Sequence, residues 1–403
     1  MDLATTTASD FRRDIRLAQE ANLDLLRVHA HVTLPEFYDA ADEAGLLVWQ
    51  DFPLQWGYAR GLRREASRQA EAMVDLLGHH PSVALWCAHN EPIAVDANPG
   101  EPLDASTGGR LLASMALPTW NKDVLDRSVA RAIRRADPSR FVDRHSGIVP
   151  GPASGGTDTH WYFGWYHGEM AGLAPMLSAW PRAARFVSEF GAQAVPDDAD
   201  FMEPQRWPDL DWDRLFEHHA LQRRLFDRYV PPQHYETFEQ WRSATQEYQA
   251  VLIQLQIEDL RRIRRTPTGG FCHFCFADGH PAVTWSVLDH ARNPKAGYGA
   301  LRDACRPLLP MLEPRTGAVH VVHEGGEPLI GAVMEARVGR AHHRWQGDIA
   351  GDDVTYVGRI PIDDAGREEQ AELTLTHTRV GDVRNVYPPA LLLATRPGAS
   401  LPS

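Results

Sequence analysis

The chain is 403 residues long, 43% hydrophobic and 24% charged, which leaves room for two or three globular domains and excludes wholesale disorder. Its 54 acidic and 41 basic residues give a formal charge of −13, a surface that repels phosphate backbones, so nucleic acid is not an expected partner. No run approaches the roughly 18 apolar residues of a membrane span, no basic-then-apolar leader follows Met1, and four cysteines are too few for a disulfide framework; no membrane partner and a cytoplasmic location are the expectations.

In chain order, residues 10–21 carry Phe11, Ile15 and Ala18 at helical spacing, and 24–29 (DLLRVH) reads as a buried strand. Residues 35–44 open a helix on Pro35 and stop at Gly45; 46–51 is the next strand. A helix over 65–77 stops at Gly78, a strand follows at 83–88, and a helix over 123–136 ends before Pro138. Strands are expected at 141–143, 158–163 and 185–189. Residues 233–264 form a long amphipathic stretch with Phe238, Trp241, Tyr248, Leu252 and Leu255 near one face. A strand at 270–276 and a helix over 294–308 end this part.

Such alternation predicts an α/β fold: a parallel sheet with helical cover, and at this number of units a (β/α) barrel more than an open sheet. A TIM barrel closes with eight strands. Seven are counted, and the chain begins inside the helix that should follow strand one. We therefore expect a barrel over 1–312 that lacks its first strand, with a seam between the strands at 24–29 and 270–276, and a chain that is poorly active and marginally stable alone. From near Pro314 only strand-like runs appear, at 318–322, 329–338, 354–362, 371–377 and 383–393, with a hairpin turn at 324–327; these predict a small all-β sandwich over 313–403.

Active sites of such barrels lie at the C-terminal strand ends. There stand Arg27, His29 and His31, then Asp51, then His89, Asn90 and Glu91, then His160 and Tyr162, then Glu189 and Asp278. Glu91 and Glu189 each end a strongly apolar strand, and such a pair could flank one substrate bond; a structural ion pair is the competing explanation for each. His29 and His31 share a strand face and could chelate a metal. With His145, His160 and Asp278 they imitate the ligand set of metal-dependent amidohydrolases, an alternative that leaves Glu189 unexplained. Otherwise they line the pocket, and neither metal nor cofactor is expected. Cys272 and Cys275 lie in a strand run with no second cysteine pair and are read as buried strand residues. Trp49, Trp56, Trp161 and Trp165 are candidate stacking platforms for a ring-shaped substrate, with Trp161 and Trp165 favoured for the rim.

Residues 46–52 (LLVWQDF), 80–92 (HPSVALWCAHNEP), 185–191 (RFVSEFG), 281–289 (PAVTWSVLD) and 295–298 (KAGY) resemble glycoside hydrolase family 2, nearest its β-mannosidase-like branch. The resemblance covers about 10–310, and the later sandwich fits that family's C-terminal Ig-like domains. It implies a retaining exo-glycosidase acting on terminal β-linked sugars by double displacement, with Glu91 as general acid/base on strand four and Glu189 as nucleophile on strand seven. By the same resemblance Arg27 and Tyr162 hydrogen-bond Glu189 and keep it charged, while Asn90 holds the sugar's 2-hydroxyl. His29, Asp51, His160, Trp161 and Trp165 complete the expected substrate contacts. The chain departs from the family in lacking two sandwich domains before the barrel and in carrying Phe274 where a Trp is usual. A catalytically impaired carbohydrate-binding fragment is the competing class.

Overall fold

The computed structural model describes residues 6–93, 117–148 and 158–396. Thr7 caps the first helix, Ala8–Glu20, by accepting from the N–H of Asp10, whose carboxylate takes the N–H of Thr7 in return. Its apolar stripe of Phe11, Ile15 and Ala18 is buried. Strands β1 (Leu25–Val28), β2 (Leu47–Asp51), β3 (Val83–Cys87) and β4 (Phe141–Asp143) then pair in that order, all parallel. Helices Pro35–Ala44, Arg63–Leu77 and Asp126–Ala136 lie between them in the chain. Gly45, at φ 69°, takes the left-handed turn that ends the first of these helices two residues before β2.

A second parallel sheet holds β5 (Thr159–His160), β6 (Phe186–Glu189) and β7 (Gly270–Phe271). The four and three strands are the seven expected, although β5 and β7 are shorter than their apolar runs. Among the described residues β1 pairs only with β2 and β7 only with β6. Both unpaired edges line one slit, together with Leu26, His273, Phe276 and Leu301.

The remainder is antiparallel. Strands β8 (Leu308–Glu313), β9 (Ala318–His323), β10 (Leu329–Val338), β11 (Ala341–Ile349), β12 (Asp353–Arg359), β13 (Ala371–His377) and β14 (Gly381–Tyr387) form sheets ordered β11-β10-β13-β14 and β12-β9-β8. This corrects three expectations. The antiparallel part starts at Leu308, before the expected boundary, because β8 pairs along its whole length with β9. β11 has mostly polar, exposed residues and no apolar run to mark it; its ladder with β10 makes it a strand. Strands are also not alone after Pro314: Asp363 caps a short helix, Asp364–Arg367, and the run at 383–393 breaks at Pro388, after which Pro389 opens the helix Pro389–Ala394.

The helix Phe238–Arg262 is buried on more than its apolar stripe, with Gln249, Gln256, Glu258 and Asp259 also inside. The antiparallel part covers the face that would otherwise meet water. Glu258 accepts from Tyr387 Oη at 2.5 Å and Asn385 Nδ2 at 2.9 Å. One buried cluster runs from Trp165 and Trp241 to Met334, Leu373 and Tyr387, so the two parts share a core. Among the described residues no helix is long and apolar enough to cross a membrane.

Candidate active site

The parallel strands bring a set of polar side chains to one point. Arg27, on β1, spreads its guanidinium over three side-chain partners. Nε and Nη2 donate to Asp51 at 3.1 and 2.8 Å, Nη1 to Glu189 Oε1 at 2.9 Å, and Nη2 also to Asn90 Oδ1 at 2.8 Å. Asp51 is fully buried and additionally accepts from the N–H of Ala30 and the indole of Trp49. It therefore anchors Arg27 and does not face a substrate, a correction to its expected role as a sugar contact.

Glu189 ends β6 with 4% exposure. Its Oε2 accepts from Tyr162 Oη at 2.8 Å, and His29 Nε2 lies 3.4 Å from Oε1. Burial alone would raise its pKa. The charge of His160, a hydrogen bond from His29 and the charge of Arg27 outweigh burial and hold the carboxyl well below the ordinary glutamate value. Tyr162 is shifted well upward, first by burial and then by the Glu189 charge, so its hydroxyl remains a donor.

Glu91 lies just past β3, where Asn90 bridges Gln55 and Ser146 and continues the parallel ladder. It sits in the left-handed region at φ 45°, and its side chain is 27% exposed. Oε1 lies 2.7 Å from His160 Nδ1, and Oε2 accepts from the Trp56 indole at 3.1 Å. One oxygen of each glutamate and one nitrogen of His160 lie within 4.8 Å of one another. The two carboxylates are thus near each other but differently clothed. Glu189 is buried among strong donors; Glu91 meets an imidazole, an indole and solvent.

The other expected contacts separate. His160 is 8% exposed and turns both ring nitrogens to protein partners, Nδ1 to Glu91 and Glu189 and Nε2 to Ser146, so it supports the carboxylates. Trp161 alternates with His160 and Tyr162 and points to the opposite side, its indole bonded to Ala183 O at 2.9 Å. Trp165 is fully buried, donates to Gln222 and stacks on Tyr229. Neither tryptophan forms a rim; both are corrections. Trp49 is buried beneath Arg27, whereas Trp56 is 53% exposed. His29 stays at the site with Nε2 3.0 Å from Asn90 Nδ2. His31 instead turns its Nδ1 to the backbone of His29, His145 is tied to buried Asp126, and Asp278 accepts from Ser286. The amidohydrolase-like ligand set is therefore not assembled. The group that could hold a metal among the described residues is Glu91, His160 and Glu189, where Arg27 already supplies a cation to Glu189. All four cysteines are free, and burial pushes Cys272 and Cys275 up to about 12.

Trp285 and Tyr166 join the site although no sequence pattern marks them. Phe274 lies 5.2 Å from the His29 ring and 5.5 Å from Trp285, and Tyr166 lies 5.1 Å from Tyr162, so an aromatic wall flanks Glu189. The PAVTWSVLD segment was a landmark, and no period in it marks Trp285 as facing inward.

No family model matches the chain. It is 28% identical over 337 residues to β-mannosidase B of Thermothelomyces thermophilus, covering 73% of this chain and 36% of that protein. It is 26% identical over 366 residues to β-mannosidase A of Aspergillus fumigatus, covering 77% and 38%. The chain thus spans well under half the length of these relatives. In fold it resembles β-D-mannosidase of Dictyoglomus thermophilum, with a TM-score of 0.73 at 21% identity over 95% of this chain and 48% of that one. An exo-chitosanase of Amycolatopsis orientalis gives a TM-score of 0.68 at 14% identity, covering 95% and 46%.

Proposed function

We propose that this chain, whose curated relatives are β-mannosidases, is the catalytic portion of a retaining exo-β-glycosidase of β-mannosidase-like specificity. The four- and three-stranded parallel sheets are then arcs of one (β/α) barrel, seven of whose strands lie among the described residues, and the antiparallel sheets an Ig-like sandwich with its boundary drawn back to Leu308. The observation that carries the proposal is the Glu91–Glu189 pair, with oxygens within 4.8 Å of one another and unequal surroundings. Retaining glycosidases hold their carboxyls about 5–5.5 Å apart, whereas inverting ones leave room for a water between them.

Glu189, kept ionised by Arg27, His160 and Tyr162, attacks the anomeric carbon as Glu91 protonates the leaving oxygen. The glycosyl–Glu189 ester is then hydrolysed by a water that Glu91 deprotonates, and the sugar leaves with its configuration retained. Asn90 and His29 stand beside Glu189, where a sugar 2-hydroxyl would lie.

The test is an activated 2-fluoro β-mannoside. The expected result is a labelled Glu189 peptide; a label on another residue overturns the assignment. Specific sugar binding with neither label nor turnover would favour the carbohydrate-binding fragment. Activity lost to a chelator and restored by a divalent metal would favour a metal held by Glu91, His160 and Glu189.

A further inference from the structure

His160 enters that division of labour only as a charge beside Glu189, yet both nitrogens of its ring are engaged. Nδ1 lies 2.7 Å from Glu91 Oε1 and 3.4 Å from Glu189 Oε2; Nε2 lies 3.0 Å from Ser146 Oγ. Ser146 is buried, and its hydroxyl donates at 2.7 Å to Oδ2 of Asp158, itself 1% exposed. Ser188 Oγ and the N–H of Gly147 donate to the same oxygen. A hydroxyl has one proton, and beside a buried carboxylate it turns that proton to the carboxylate. The Ser146 oxygen is then an acceptor, which requires Nε2 to carry hydrogen and leaves Nδ1 alone before the two glutamates. The Nδ1–Oε1 contact therefore shares a single proton, held either by the imidazole or by Glu91. The pocket fits the ring closely: at Gly147, with φ 77°, a Cβ would stand 2.6 Å from His160 Nδ1 and Cε1.

We propose that His160 is a positioning residue that holds the catalytic proton beside Glu91 and yields it as the Glu189 charge is consumed, with the buried Asp158–Ser146 pair locking its tautomer. The proposal rests on the glycosidase assignment. The charged and titratable groups around the ring are Glu91, Glu189 and Asp158, against Arg27 from β1, with Tyr162 and His167 beside them. Burial disfavours the imidazolium, but Glu189 and Glu91 outweigh it and raise the pKa of His160. When Glu189 bonds to the anomeric carbon, its negative charge disappears. The Nδ1–H bond then breaks and an O–H bond forms on Glu91; that proton passes to the leaving oxygen, which keeps the electron pair of the broken C–O bond. In the hydrolytic step a water proton returns through Glu91 to Nδ1, and the cycle closes with no net change.

The test is ¹⁵N NMR of the histidine-labelled full chain, with His160 assigned by His160→Gln. Nε2 is expected to stay protonated from about pH 5 to about pH 9, and the imidazolium to persist above the ordinary value of 6.5. Glu189→Gln should lower the His160 midpoint by about one pH unit or more. Asp158→Asn or Ser146→Ala should admit the Nδ1–H tautomer. A bare Nε2 in the native chain, or a midpoint unmoved by Glu189→Gln, overturns the proposal. In kinetics, His160→Gln should lower kcat/KM, which reports the glycosylation step, at least about tenfold more for alkyl glycosides than for dinitrophenyl glycosides, whose leaving group needs no acid. If Glu91→Gln shows that split and His160→Gln does not, this proposal alone fails. If the native chain cleaves no β-glycoside, the glycosidase assignment fails, and the NMR arms still decide the tautomer and the coupling.

Discussion

Arg27 illustrates how a single residue governs this site. It is almost wholly buried between Asp51 and Glu189, so removing it strands two carboxylates inside the protein. Arg27→Leu is expected to cost about 3–5 kcal/mol in urea unfolding, and Arg27→Lys less, since an ammonium keeps the charge but loses the fork. The acid side of the stability curve should report the same contact. Because the folded pKa of Glu189 lies below its ordinary 4.5, its contribution is present above that value and lost as pH falls toward the folded one. Glu189→Gln should flatten the acid limb below about pH 4.5 in thermal melts. Trp56 acts differently. It is exposed, held in the left-handed region at φ 64°, and linked to the site through its indole N–H on Glu91. Trp56→Phe should change stability by less than about 0.5 kcal/mol. It should lower kcat/KM about tenfold, the scale of one hydrogen bond to a charged group. A loss in stability equal to the loss in activity would make Trp56 a structural residue.

Among the elements, the helix Phe238–Arg262 carries the joint between the parallel and antiparallel parts. Glu258 is buried there beneath Tyr387 and Asn385, and burial, outweighing its hydrogen bonds, raises its pKa. A raised carboxyl stabilises fully below its unfolded value, and that contribution fades as pH rises through the folded one. The stability of the native chain relative to Glu258→Gln should therefore decline as pH rises above the ordinary 4.5 in denaturant titrations, and a pH-independent difference would mean that Glu258 is ionised throughout. The helix itself was legible from its apolar stripe, expected from 233; its start at Phe238 is set by Thr237, whose capping box with Gln240 the stripe does not reveal. Its buried polar face was not, because tertiary partners make it interior: Tyr387 and Asn385 of the antiparallel part cover Glu258, and the carbonyls of Ala192, Trp285 and Ser286 enclose Gln249.

At the scale of the whole molecule the slit between β1 and β7 is the outstanding feature. Two strand edges unpaired among the described residues leave backbone donors and acceptors without ladder partners. Each ladder bond contributes about 1 kcal/mol net, and each Å² of apolar surface withdrawn from water about 25 cal/mol. On the barrel proposal, fusing an extended segment ahead of Ala8 that fills this slit should raise Tm by about 5 °C or more and increase turnover. Equal Tm and turnover with and without that segment would show that seven strands suffice.

What the sequence by itself determined is whatever local pattern encodes: the seven parallel strands from their apolar runs, the helix ends at Pro35 and Gly45, and the two strand-end glutamates. These depend on neighbours a few residues away, so they can be read along the chain. Only the tertiary structure decided which polar residues meet. Asp51 and His160 stand at strand ends, as expected, but Arg27 occupies one and Glu91 the other, arriving 24 and 69 residues distant in the chain. Trp165 and Trp56 are both exposed-aromatic candidates by composition, yet Phe226 and Tyr229 enclose the first and leave the second in solvent. A side chain's role here depends on the partner that reaches it, and that partner comes from a distant strand whose position only packing sets.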